Sequence, residues 1–139
     1  MKIVSSTTLI QKLTNVIKPL MRLLFPELNK NSKAFSEISL NMIANILGLG
    51  NAATPLGLKA MKSMQEENKN KERLSDAMTM FIVVNTASLQ IIPTTVIAIR
   101  MSFNSINPTK IIIPVWFCSV ISATVGIIAT KILIKKQNN

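Results

Sequence analysis

The sequence has no histidine and no tyrosine, a single cysteine at Cys118 and a single tryptophan at Trp116. Without histidine, and with one thiol, a zinc site and a disulfide framework are both excluded within one chain. Nucleophile–base pairs of the Ser–His or Cys–His kind are excluded on the same ground, so the chain is read as a non-enzyme with no catalytic, cofactor-binding or metal-binding residues. Aromatic residues make up only 4%. That leaves no stacking platform for single-stranded nucleic acid, so the net charge of +10 is not taken as a nucleic-acid footprint and no nucleic-acid partner is expected. Carboxylates are scarce, and Glu66, Glu67, Glu72 and Asp76 fall in "KSMQEENKNKERLSD", which reads as a solvated linker rather than an acid–base site. The opening "MKIVSSTTLIQK" has no continuous apolar stretch of the kind a secretory leader needs.

Charge of either sign is missing from three long windows, 38–58, 77–99 and 111–130, in a chain that is 48% hydrophobic. Each approaches or exceeds the roughly 20 residues that cross a ~30 Å hydrocarbon core as a helix. The fold class expected is therefore all-α: a polytopic helical membrane protein, integral to the cell membrane with the lipid bilayer as its surroundings. Ahead of the windows, Leu9, Leu13, Val16, Ile17, Leu20 and Leu24 form one helical stripe opposite Gln11, Thr14, Asn15, Lys18 and Arg22. This predicts an amphipathic helix over 7–25, suited to a membrane surface or to packing on another membrane helix, with Pro26 ending it.

The first window is interrupted by "GLGNAATPLG" at 48–57. Residues 38–47 can form a half-helix of about 15 Å, which reaches only the middle of a bilayer. Thr54 and Pro55 then read as N-cap and first position of a second half-helix. A re-entrant or broken hairpin over 36–64 follows. Basic residues favour the returning hairpin over a crossing, because it puts all of them except Arg100 and Lys110 on one side, the cytoplasmic one, together with the C-terminus. The second window predicts a broken span over 77–101, with Asn85, Thr86, Ser88 and Gln90 near its middle and Pro93 beyond. The third predicts a C-terminal span over 110–134 ending in "KILIKK", with Ser119, Ser122, Ala123 and Gly126 as a small-residue face.

Asn51-Ala52-Ala53-Thr54 and Asn85-Thr86-Ala87-Ser88 share the pattern N-x-A-[T/S], each followed by a proline, Pro55 and Pro93. Paired broken helices with short polar side chains are where transporters hold a solute or ion. The residues expected to line such a path are Asn45, Asn51, Thr54, Asn85, Thr86, Ser88, Gln90, Thr94 and Thr95. The competing reading is that these side chains only satisfy backbone groups freed at the breaks. The string Gly48-Leu49-Gly50-Asn51-Ala52-Ala53 also fits a dinucleotide-binding pattern, but no β-strand precedes it and no βαβ unit surrounds it.

The strings "ISLNMIANILGLGNAATPLGLKAM", "FIVVNTASLQIIPTTVIAIRM" and "NPTKIIIP" closely resemble the spore maturation protein A family, membrane proteins grouped with the nucleoside-recognition or gate domain. The resemblance covers nearly the whole chain and implies one gate-like membrane domain over 1–139. It further implies a role in late sporulation, in dehydration of the spore core, alongside a spore maturation protein B-like membrane partner, and possession of a segment type also found in nucleoside and ferrous iron transporters. Family members carry further hydrophobic helices ahead of the amphipathic segment. Here a shortened form, a misplaced start or a partner supplying those helices each fits. The resemblance assigns no ligand residues, so the polar set above rests on chemistry, with a small solute or ion as its expected occupant. A membrane scaffold for a partner and a nucleoside carrier are the alternatives.

A returning hairpin has a direct consequence. Single cysteines placed as Ser32→Cys and Lys69→Cys in a Cys118→Ala background should label equally from outside the cell; opposite accessibility would indicate a crossing instead.

Overall fold

The computed structural model describes residues 8–87 and 90–137, which contain α-helices, one 3₁₀ turn and no strand. The helices are α1 Thr8–Leu24, α2 Lys33–Ile46, α3 Gly50–Glu67, α4 Asp76–Ala87, α5 Thr94–Ser102 and α6 Ile112–Gln137, the last preceded by the 3₁₀ turn Pro108–Ile111.

Helix α1 stops at Leu24, two residues before Pro26, whose ring cannot continue it. The C-terminal part of its apolar stripe packs inside the protein, while Val16 stays exposed. Ile17, Met21 and Leu24 are buried, and with Phe25 they join Ile38, Met42, Met64, Met80 and Phe81 in one core, while Lys18 and Arg22 stay exposed. Packing on a neighbouring helix, α2, is the alternative the structure realises. Methionine supplies much of this core, which suits helices meeting at irregular gaps because its unbranched thioether adapts to them.

Ser32 caps α2 by accepting from the Phe35 N–H at 3.1 Å. The other end closes in a Schellman motif. Gly48 N–H bonds Asn45 O at 2.9 Å, Leu49 N–H bonds Ala44 O at 2.8 Å, and Gly48 takes φ +71°. The chain thereby reverses within three residues, and α3 runs back along α2. Glu37 meets Lys59 at 3.4 Å near one end of the pair, and Asn41 meets the Ala53 carbonyl at 2.8 Å nearer the turn. The second helix of the hairpin starts at Gly50, not at Pro55. Thr54 does not cap it but bonds back to Gly50 O at 3.4 Å. Glycine in the left-handed region makes the turn by itself, so no side-chain cap is needed, and Pro55 sits one turn inside α3.

Glu66, Glu67 and Glu72 are exposed, as a solvated linker implies, whereas two carboxylates outside that segment make tertiary contacts. Glu37 is buried on α2, and Glu27 accepts a hydrogen bond from the Ala77 N–H, tying the α1–α2 connection to the start of α4. In the 68–75 segment, Asn68 Nδ2 reaches Arg73 O at 2.7 Å and Lys71 Nζ reaches the α3 carbonyls of Gln65 and Glu66 at 2.5 and 3.1 Å, a lysine at the negative end of a helix.

The segment expected to span at 77–101 is divided. Helices α4 and α5, with 12 and 9 residues, reach only about 18 and 14 Å, too short for either to cross a ~30 Å core alone. Helix α4 and the loop after it run antiparallel to α6: Ala77 and Met80 share a cavity wall with Lys131 and Lys135, Val83 abuts Gly126, and Trp116 Nε1 donates to Ile91 O at 2.7 Å, while α5 packs on the 3₁₀ turn. Among the described residues the one helical run long and apolar enough to cross a membrane is 108–137, with a mean hydropathy of 2.3 over its most apolar part and only 6% of that part buried. A soluble core helix of this composition is largely buried. Here Ile113, Phe117, Ile121, Val125, Ile128 and Ile132 are all exposed. Ala123 and Thr130 are its buried residues, on the side that faces α4.

The reversal at Gly48 sets the register of everything that follows it. A Cβ there would lie 2.1 Å from the Ile92 carbonyl oxygen, in addition to the cost of positive φ. Gly48→Ala should therefore lower unfolding stability in detergent by at least about 2 kcal/mol. Gly50→Ala, which meets nothing within 4 Å, should change it by no more than about 0.5 kcal/mol.

Candidate functional site

The two interruptions in the chain touch each other. Ile91 N–H donates to Ile46 O at 2.8 Å, and Thr94 Oγ1 donates to Gly48 O at 2.8 Å. Carbonyls left without partners at the end of α2 are thus satisfied by the non-helical residues 90–93 and the start of α5. Trp116 holds the same loop from the other side through Ile91 O.

Beside this junction lies a cleft of about 480 Å³ between the α2–α3 hairpin and α4. Its polar floor is built from Asn41, Asn45, Asn85 and Gln90, with Thr54 and Thr86 at the side and Phe81, Met61, Ile82 and Leu58 as apolar wall and rim. No charged side chain lines it. The amides form one chain. Asn45 Nδ2 donates to Asn85 Oδ1 at 2.7 Å and to Asn41 Oδ1 at 3.2 Å; Asn41 Nδ2 donates across the hairpin to Ala53 O at 2.8 Å. Asn85 Nδ2 closes the far end on Phe81 O at 2.9 Å. Asn41 and Asn45 are four residues apart on α2, hence on one face, and that face is turned to both partners. Gly57 is what lets Asn41 cross between α2 and α3, since a Cβ there would stand 3.0 Å from Asn41 Nδ2.

The expected polar residues divide between two places. Asn45, Thr54, Asn85, Thr86 and Gln90 line the cleft. Asn51, Thr94 and Thr95 line a separate hollow of about 300 Å³ at the outer side of the junction, with Gly48, Leu49, Gly50 and Ala52. Ser88 lies outside the described residues. The N-x-A-[T/S] repeat is therefore not a symmetric pair: Asn85 bonds Asn45, while Asn51 is exposed and bonds no side chain among the described residues. Thr54 and Thr86 both bond back to carbonyls of their own helices, Gly50 O and Ile82 O, as hydroxyls do in apolar surroundings. Asn41, only 2% exposed, was not in the expected set. Its spacing of four from Asn45 inside an uncharged window is the signal that identifies it.

No group of three or more metal-ligating side chains occurs among the described residues. The arrangement offers neutral donors and acceptors, held by two helices and a turn, next to a wall of apolar side chains. It can bind a small polar molecule or let one pass; it offers no nucleophile–base pair.

Comparison with known proteins fits this geometry into a family. The profile described as Gate, nucleoside recognition, matches residues 1–103. Over 131 residues the chain is 41% identical to spore maturation protein A of Bacillus subtilis (strain 168), an alignment that covers 94% of this chain and 67% of that relative. No solved structure matches the chain significantly.

The chain of amides carries stability as well as chemistry. Asn41→Leu removes the side-chain donor to the Ala53 carbonyl and one of the two acceptors of the Asn45 amide nitrogen at a buried place, and should cost about 1–3 kcal/mol in unfolding experiments. Asn51→Ala, at an exposed position, should fall within about 0.5 kcal/mol of wild type.

Proposed function

The chain belongs to the spore maturation protein A family, and from that premise we propose that it is a gate-like component of a membrane assembly that contributes to dehydration of the spore core by passing a small solute. Its membrane character rests on the exposed, apolar run 108–137 together with the family relationship. The observation that carries the gate reading is the contact between the two chain interruptions, with an uncharged amide-lined cleft directly beside it. Interrupted helices whose ends meet inside a membrane protein are the arrangement in which transporters hold and release solutes.

Depth supports the same reading. Between Lys110 and Lys131, α6 and its 3₁₀ turn cover about 31 Å, close to the ~30 Å hydrocarbon thickness. The Ile91–Trp116 contact then lies about 22 Å from Lys131 and about 9 Å from Lys110. The hairpin tip at Gly48 shares that level, so it reaches past the middle of the membrane and returns. Lys33, Lys69, Arg73, Lys131 and Lys135 belong to the opposite end, which on the basic-residue rule is the cytoplasmic one and holds the C-terminus. A spore maturation protein B-like membrane protein is the partner proposed to complete the path.

Two other readings have less support. A non-conducting scaffold is favoured by the bare side of α6, which a partner helix could cover, but gives the buried amides no role beyond packing. A nucleoside carrier is suggested by the description of the matching profile, yet the cleft offers a single aromatic side chain, Phe81, and no carboxylate for base and ribose.

The test is spore core density in a host deprived of its own copy, complemented at matched membrane abundance. An Asn45→Leu, Asn85→Leu double variant, which keeps the branched side-chain shape without its hydrogen-bonding groups, should give low-density, wet spores, whereas Asn51→Ala should rescue. Full rescue by the double variant would shift the reading to the scaffold.

A further inference from the structure

Building on the gate reading, we infer that the cleft selects uncharged, hydrogen-bonding solutes of the polyol or carboxamide class and excludes ions of both signs. The argument rests on how donors and acceptors alternate along its floor. At the centre stands the Asn45 amide nitrogen, a donor, flanked at 2.7 and 3.2 Å by the Oδ1 acceptors of Asn85 and Asn41. A cation drawn to those oxygens meets the N–H₂ group between them. An anion drawn to the N–H₂ group meets the two oxygens.

Neither sign finds a shell of one polarity, unlike the rings of carbonyls or of charged side chains that ion pores use. No lysine, arginine or carboxylate lines the cleft to make up the difference, and Phe81, Met61 and Ile82 give the walls a low polarity in which an ion loses hydration without replacement. Glu37, the buried carboxylate of the hairpin, has Lys59 at 3.4 Å and is not part of the lining.

A small solute that carries a donor and an acceptor on adjacent atoms fits the same pattern. Such a molecule can take the place of the Asn45–Asn85 bond, accepting from Asn45 Nδ2 and donating to Asn85 Oδ1, so that no amide is left unpaired while it sits there. Asn45 Oδ1 and the Gln90 amide, which have no side-chain or backbone partner among the described residues, supply further contacts beside that bond. The volume of about 480 Å³ leaves room for a molecule of several heavy atoms along with water.

The experiment is stopped-flow light scattering on vesicles of bacterial polar lipid reconstituted with the full chain, shocked with erythritol or malonamide as uncharged probes and with sodium gluconate or choline chloride as charged ones, a protonophore being present throughout so that proton movement balances the charge of any ion that crosses. Erythritol and malonamide should re-swell the vesicles well above the protein-free rate, and gluconate and choline should not. Asn45→Leu should slow the uncharged probes about fivefold, the equivalent of one neutral hydrogen bond. Asn85→Asp, which keeps the side chain's shape, should slow erythritol and admit choline. Salts that re-swell vesicles as fast as erythritol would overturn the selectivity and leave the gate reading standing. An unchanged erythritol rate in both variants would overturn the cleft as the selective element. No protein-dependent flux of any probe would overturn the reading that this chain forms a selective path by itself, and leave the reading of a gate completed by its partner standing.

Discussion

The structure depends on a backbone-to-backbone approach at Gly48. A residue with a β-carbon fits there only if the backbone shifts, because the Ile92 carbonyl fills the position the β-carbon would take, and because the Schellman turn needs positive φ there. From this one contact follow the reversal of α2 into α3, the pairing of Ile46 with Ile91 and of Gly48 with Thr94, and hence the level at which α4 gives way to α5. Helix ends buried away from water must find partners for their free carbonyls. Here each interruption supplies the other's, so two breaks that would be costly separately satisfy one another.

That mutual satisfaction frees side chains for a different task. If Asn45 or Asn85 were needed to bond the carbonyls at the end of α2, their amides would be consumed by backbone repair. Ile91 and Thr94 do that work instead. The asparagines are left to bond chiefly each other, across the gap between hairpin and α4, in a cleft with no charge on its wall. Two ends of the network are anchored on helix carbonyls, Ala53 and Phe81, which fixes the amides in place, while the Asn45–Asn85 bond joins side chain to side chain and is the link that a rearrangement can exchange.

Much of this is legible in the sequence, and what is not has identifiable causes. Uncharged windows and turn residues at 48–57 place the helices and the reversal, and polar residues at 85–95 place the second interruption near its observed position. The sequence places the end of the first hairpin helix within a residue but the start of the second five residues late, because Thr54-Pro55 has the chemistry of a helix start while Gly48 has the chemistry of a helix end. Local sequence does not say which of the two the chain uses. The approach of Ile92 decides it, and that contact is between residues 44 apart in sequence. The apolar stripe of α1 was equally consistent with lipid and with protein, since both bury the same face; Met21 and Phe25 in the common core resolve it. The repeat N-x-A-[T/S] gives Asn51 and Asn85 equivalent places on one path, whereas the bonding of Asn85 in three dimensions follows the helix period on α2 and selects Asn45, with Asn41 one turn away. A repeat in sequence implies equivalent positions only when the flanking helices are related by symmetry, and here one break joins the two arms of a hairpin while the other divides an element that runs along α6.

The distribution of polarity around the cleft bears on how the proposed gate would work. Leu58 and Ile82, on its rim, are exposed, as is most of α6, so the surroundings at that level are apolar while the floor is not. In such surroundings a polar solute finds hydrogen-bonding partners only on the floor, which localises it there without any strong attraction. Neutral amide bonds contribute about 1 kcal/mol each once exchange with existing partners is counted. A molecule that replaces the Asn45–Asn85 bond breaks one amide contact for each pair it makes, so its net hold is small. Weak, replaceable contacts are what passage requires, because a site that binds tightly stores its solute and does not release it. The absence of charge from the cleft is therefore as informative as the presence of asparagine: a lysine or carboxylate on that wall would hold an oppositely charged solute too firmly, and in an apolar setting would itself need a fixed partner. Glu37 illustrates the point, placed away from the cleft lining and already joined to Lys59.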